Sequence, residues 1–276
     1  MDEQYNTRLR IPNHPQVFAR WARDSAFARV RSSRRLDVAY GPDDTERLDI
    51  FTSARDKAPV LVFIHGGWWR AFDKMDHSFI APPFTSEGAM VVVPNYALCP
   101  TVTIDVIALQ MVRALEWVWR HAALYGGDPE RIVVAGHSAG GHLAAMLACC
   151  HWPSVAADLP PSLVTGTLAI SGLFDLEPLR QAPFLRDDLR LTPVSARRLS
   201  PCLFPAPQIP LYATVGANES EEFQRQNELI ASAWGDVAVP VCTTIGHADH
   251  LGVLDDLTDP HGLLHRLALR LLRLSA

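Results

Sequence analysis

Lysine is nearly missing from this chain of 276 residues: Lys57 and Lys74 are the only two, and arginine supplies the rest of a basic complement of 25 set against 30 acids. The formal net charge of -5 leaves no positive field for a phosphate backbone, which makes nucleic acid a poor partner. Cysteine is scarce as well. The five, Cys99, Cys149, Cys150, Cys202 and Cys242, form no CxxC pair and leave an odd number, so neither a disulfide framework nor a zinc cluster is expected. No apolar run nears the roughly 20 residues that a membrane-spanning helix requires. The opening MDEQYNTRLR carries acids and no apolar stretch, unlike a secretory leader. A reduced, cytoplasmic setting is the expectation.

What the chain does have is alternation of short β-rich runs with helical stretches, the mark of an α/β architecture. Strands are expected at 36–40, 47–52, 60–65, 89–94, 131–136, 165–171, 211–216 and 239–245. VLVFI, MVVVP and IVVAG are continuously apolar, as in parallel strands covered on both faces; the runs at 36–40 and 47–52 come closer to alternating and suit an antiparallel edge. Residues 103–122 place Ile104, Ile107, Met111, Leu115 and Val118 on one helical face. The C-terminal stretch does the same with Leu264, Leu267, Leu271 and Leu274, against Arg266, Arg270 and Arg273 on the other side. A typical domain of about 150 residues divides into this length less than twice, so residues 1–276 are read as one domain.

Two segments break the rhythm. Residues 1–35 hold eight arginines interleaved with Phe18, Trp21, Phe27 and Val30, and are read first as a solvated surface helix, second as a helix lying across the domain. Residues 174–210 hold seven prolines, too many for a long regular element, and suit a lid or binding loop.

The chemistry concentrates at Gly136-His137-Ser138-Ala139-Gly140, which follows RIVVA and opens the helix-like GGHLAAMLACC. A strand before GxSxG and a helix after it make a nucleophile elbow, with Ser138 on a strained turn and the Ala139 N–H offered to an oxyanion. His65-Gly66-Gly67-Trp68-Trp69 ends another buried run. An HGG loop in this place supplies further oxyanion donors, here Gly67 and Trp68, with Gly66 shaping the turn. Trp68 and Trp69 are candidate walls of a substrate pocket, with core packing weighed equally. A serine nucleophile needs a base and the base an orienting acid, in the order Ser, acid, His. After LYATVG the acids are Glu219 and Glu221; after VPVCTTI the bases are His247 and His250. His137 and His142 are read as packing or hydrogen-bonding residues, Asp175 as a loop cap, and Cys149 and Cys150 as buried apolar packing. His247, Asp249 and His250 show no third partner at metal-ligand spacing.

HGGWW, PNYALCP (94–100), YGGDPERIVVAGHSAGGHLAAM (125–146), SGLFDLEPL (171–179) and VGANESEEFQRQ (215–226) together resemble the arylformamidase, or kynurenine formamidase, group of α/β hydrolases, which borders the hormone-sensitive-lipase-like carboxylesterases. The resemblance runs from about residue 45 to the C-terminus. It implies an eight-stranded, mostly parallel sheet flanked by helices, with a small cap from the N-terminus and the 174–210 segment. It places the acid on Glu219, where aspartate is usual, and the base on His250. It implies hydrolysis of N-formylkynurenine to kynurenine and formate with no metal or organic cofactor. A short-chain carboxylesterase is the alternative, and a non-catalytic small-molecule binder on the same fold a distant one. The expected partner is an ester or formamide substrate, a homodimer is allowed, and neither nucleic acid nor membrane is expected.

Overall fold

The computed structural model describes residues 2–274. Its strands are β1 (Arg34–Ala39), β2 (Arg47–Phe51), β3 (Ala58–Ile64), β4 (Met90–Pro94), β5 (Gly127–His137), β6 (Gly166–Ile170), β7 (Leu211–Gly216) and β8 (Val241–Ile245). They form one sheet in the order β1-β2-β4-β3-β5-β6-β7-β8. β2 runs antiparallel to both β1 and β4, and every pairing from β4 to β8 is parallel. All residues of β3, β4, β6 and β7 are buried, whereas β1 alternates between half-buried and exposed. The continuously apolar runs thus mark the strands with two covered faces, and the alternating first run marks an edge.

Successive side chains of β3 feed two cores. Val60, Val62 and Ile64 pack with the helices Ile104–His121 and Ala139–Ala148, through Ile107, Met111, Leu115 and Leu143. Leu61 and Phe63 point to the opposite face and meet Leu264, Leu267 and Leu272 of the helix Leu263–Leu272. Each such leucine, moved fully out of water, is worth about 1.5–3 kcal/mol, so the parallel layers hold the ends of β3 and β5 as a rigid platform.

The N-terminal segment departs from its first reading. It is not a solvated helix. The helix His14–Arg31 buries Trp21, Ser25 and Ala28 against the segment Lys74–Ile80, and Tyr5 and Ile11 are buried ahead of it. Phe27 and Val30, by contrast, stay exposed. Arginines dilute the mean hydropathy of the segment but occupy its outer positions, where Arg20 pairs with Asp255 and Arg23 with Asp24. Arg29 pairs with the fully buried Asp49, which also meets the buried Lys74 at 3.0 Å. Asp49 is therefore the clamp between the N-terminal helix and the sheet, and Lys74, one of the two lysines, ties the Lys74–Ile80 segment to the same carboxylate.

The 174–210 segment forms short helices at Glu177–Arg180, Pro183–Leu189 and Pro193–Arg198 and a 3-10 turn at Pro201–Leu203. A proline stands in the first two positions of each. There its missing N–H costs nothing and its fixed φ suits a helix start, so the prolines that exclude one long element begin four brief ones.

Candidate active site

Ser138 sits between β5 and the helix Ala139–Ala148 at φ 58°, ψ -119°, a backbone region that costs a non-glycine residue about 1–3 kcal/mol. The turn is held by its N–H donating to the Ile170 carbonyl (2.8 Å) and by its carbonyl accepting from the His142 N–H (3.1 Å). A Cβ on Gly136 would lie 2.1 Å from the Gly140 oxygen, and one on Gly140 2.0 Å from the Ile64 oxygen. The two glycines of GxSxG are thus required by the closeness of helix and strand.

The loop after β3 folds over this turn. A Cβ on Gly66 would come within 3.0 Å of the Ser138 Cβ. Gly67, Trp68 and Trp69 follow at φ 102°, 55° and 54°, a run of left-handed residues that turns the backbone back on itself. Among the described residues the N–H groups of Gly67 and Trp68 have no hydrogen-bond acceptor, and Ala139 opens its helix with a free N–H, as first-turn residues do. His65 braces the loop: its Nδ1–H donates to the Gly66 carbonyl (2.8 Å) and its ring stacks on Tyr96 (centroids 4.3 Å apart).

His250 and Glu219 meet at 2.5 Å, Nδ1 to Oε2, both buried. Glu219 lies in the turn after β7, where its own N–H donates to the Gly216 carbonyl (3.1 Å). Its second oxygen, Oε1, accepts from the Gly216 N–H (2.7 Å) and the Ser171 hydroxyl (2.5 Å). The reserve residues do not take part: Glu221 and His247 are exposed. Asp249 caps its own turn by accepting from the N–H groups of Leu251 and Gly252. Among the described residues no group of three or more His, Cys, Asp or Glu could hold a metal.

Ser138 and His250 open onto one cavity of about 470 Å³, whose wall includes Gly66, Gly67, Trp68 and His137. The two tryptophans divide. Trp68 lines the cavity, edge-on to Phe184, while Trp69 is fully buried against His142 and corrects the expectation that it faces substrate. Both irregular segments reach the cavity: Asn6, Thr7, Arg8 and Phe18 from one, Phe184 and Asp188 from the other. Asp175 accepts from the Glu177 N–H, a loop cap as expected. Cys149 and Cys150 are half-buried at the end of their helix rather than fully buried, and burial pushes their thiols up, to about 12 and about 11.

Two residues with no functional signal in the sequence support the site. Ser171, at φ 51° just past β6, is the hydroxyl on Glu219. His137, the variable position of GxSxG, donates from Nε2 to the His250 carbonyl (2.7 Å) and packs ring to ring at 4.7 Å. Burial, with His250 and His77 nearby, holds the His137 imidazole well below the usual range and hence neutral.

A mostly parallel sheet of this order, with a serine on a strained strand-to-helix turn and a buried histidine–carboxylate pair opening on the same cavity, defines an α/β hydrolase. A family model described as BD-FAE matches residues 48–158. The kynurenine formamidase of Danio rerio is 29% identical over 254 residues, covering 89% of this chain and 84% of its own. Among solved structures, a candidate thioesterase from Silicibacter sp. TM1040 is 30% identical with a TM-score of 0.81, over 95% of this chain and 96% of that one. A thermophilic carboxylesterase from a metagenomic library shares the fold, with a TM-score of 0.70 at 21% identity over 94% and 93% of the two chains. The chain belongs to the α/β-hydrolase superfamily and is similar both to kynurenine formamidases and to carboxylesterases. It is a serine hydrolase of the arylformamidase-like or carboxylesterase kind.

Proposed function

We propose that Ser138, His250 and Glu219 form the catalytic triad of an aryl formamide hydrolase, with N-formylkynurenine as the expected substrate and kynurenine and formate as products. The carrying observation is the strained Ser138 turn and the 2.5 Å His250–Glu219 pair opening on one aromatic-walled cavity. Glu219 fixes the Nδ1–H tautomer, which leaves Nε2 of His250 to take the Ser138 proton as Oγ attacks the formyl carbon. The N–H groups of Ala139, Gly67 and Trp68 stabilise the oxyanion that forms. As it collapses, the carbon–nitrogen bond breaks, and His250 returns the proton to the departing aryl amine. Water, deprotonated by His250, then releases formate from the formyl-serine.

The edge of Trp68, with Phe18 and Phe184 on the same wall, suits a flat leaving group. The cavity volume, about 470 Å³, supports a second reading, because it seats acyl groups larger than formyl and so accommodates short-chain esters. One preparation assayed on N-formylkynurenine and on a short-chain aryl ester separates the two. The formamidase reading expects the larger kcat/KM on the formamide, and a strong preference for the ester overturns it. Ser138→Ala should lower kcat by about a thousandfold or more, and a fluorophosphonate probe should label the wild type at Ser138 only. Near-wild-type turnover by the variant would reject the triad.

A further inference from the structure

We propose that Arg8 is a specificity-determining residue that reads a carboxylate on the leaving group of the substrate, at the mouth of the Ser138 cavity. The proposal rests on that cavity being the reaction site and deepens the reading by naming a charge that the substrate carries.

Two arginines stand in the cavity wall, and their circumstances differ. Arg70 is engaged: it pairs with Asp188, donates to the Phe184 carbonyl (2.9 Å) and lies 5.5 Å over the Phe184 ring. Arg8 has neither an acidic side chain nor a carbonyl as partner among the described residues, and its guanidinium lies 5.7 Å over the Phe18 ring. Among the described residues Asp188 is the only acid on the wall, and Arg70 neutralises it. Burial holds His77 and His137, on the same wall, neutral. Glu219 lies behind His250 and is engaged by it, so Arg8 is the charged side chain on the described wall that has no counter-charge on that wall, in a protein whose net charge is -5. Arginine outnumbers lysine throughout the chain, so what sets Arg8 apart is its place on the cavity wall and its lack of a partner among the described residues.

The backbone that carries Arg8 is also held in place. Two residues before the short helix Thr7–Arg10, Tyr5 is fully buried and its hydroxyl donates to Glu222. One residue earlier, the Gln4 carbonyl accepts from the Ser220 hydroxyl (2.6 Å). Ser220 and Glu222 flank the start of the helix that follows Glu219, so the backbone carrying Arg8 is bolted beside the proposed acid. An aromatic leaving group seated on Phe18 and Trp68, with its acyl carbon at Ser138, has its far end towards the cavity mouth. A carboxylate there meets a planar guanidinium that can grip both its oxygens.

The test uses two aryl acetates that are identical except that the side chain of the leaving phenol ends in a carboxylate or in a carboxamide. Both formamidase and esterase chemistry would cleave either one. The wild type should favour the carboxylate by about tenfold in kcat/KM, mainly through KM, and added salt should shrink the preference. Arg8→Gln should bring the ratio close to one, and Arg8→Glu should invert it. A wild-type ratio near one, or a ratio that survives Arg8→Gln, overturns the proposal. If neither acetate is hydrolysed, the acyl-transfer reading fails on its own. The two phenols are then titrated as ligands by tryptophan fluorescence, and the same ratio, wild type against Arg8→Gln, decides the role of Arg8.

Discussion

Glu219 shows how a single methylene is absorbed. Aspartate is the usual acid of the group this chain resembles, and a longer arm should misplace its carboxylate unless something shortens its reach. The Glu219 N–H is tied back to Gly216, and Oε1 is held from two directions by the Gly216 N–H and Ser171, which leaves Oε2 for His250. In the proposed triad Ser171 is therefore a positioning residue that acts through the carboxylate. The sequence flagged the Asp-to-Glu exchange but not its support, because a serine after a strand carries no pattern, and only the fold brings positions 171 and 219 together. Ser171→Ala should lower kcat by about tenfold with KM little changed, the loss of one charge-assisted hydrogen bond. Ser171→Thr, which keeps the hydroxyl, should recover much of it. Rates normalised to fluorophosphonate-titratable sites separate orientation from folding, since a merely structural role would leave kcat per active site unmoved. The larger loss belongs to Glu219→Gln, which removes the charge facing His250.

At the scale of elements, regular structure was legible wherever local periodicity coincides with tertiary burial. Every expected strand is present, and Ile104, Ile107, Met111, Leu115 and Val118 are all buried on the helix they predicted. The elbow was legible for the same reason, since strand, turn and helix are contiguous in the chain. The N-terminal segment was misread because eight arginines mask a face of few apolar residues, and because its partners at Lys74–Ile80 and Glu221–Ala238 lie far along the chain. Tyr5 is the bolt of that segment: it contacts Trp68 and Phe223 edge-on (5.9 and 6.0 Å), and its hydroxyl sits between Glu222 and Gln226. Removing a fully buried aromatic ring costs about 3–5 kcal/mol, and here the cost should fall on local opening rather than on the sheet. In Tyr5→Ala, amide hydrogen exchange over residues 4–11 should accelerate at least a hundredfold while the amides of β3 and β5 keep their protection. Unchanged exchange over 4–11 would show that the other contacts alone hold the segment, and a matching loss in the sheet would show that it is no separate unit.

Over the whole molecule, neutral histidines buried around the site tie stability to pH. Burial lowers the imidazoles of His65, His77, His137 and His142, with His77 down to about 3 and His142 to about 4. In the unfolded chain each titrates near the ordinary value of about 6.5. Below that pH the unfolded state binds protons that the folded state refuses, so stability is complete above about 6.5 and is lost as the pH falls towards the folded values. Carboxylates held low by their partners, such as Asp37 beside Lys74, act in the same direction but only below the carboxylate range, and so leave the window from 6.5 to 5 to the histidines. Across that window His77 and His142 should each remove about 2 kcal/mol, a large share of the 5–15 kcal/mol typical of a folded domain. The urea midpoint should therefore drop steeply between pH 6.5 and pH 5. His142 is the cleaner probe: its Nε2–H donates to the Leu199 carbonyl (2.7 Å), a bond that a glutamine amide can replace without titrating. His142→Gln will lower stability at pH 7 through the lost edge contact with Trp69, yet the further loss on going to pH 5 should be smaller than in the wild type by about 2 kcal/mol. If variant and wild type lose the same amount over that interval, His142 is not a source of the acid sensitivity, and the protons taken up on unfolding belong elsewhere.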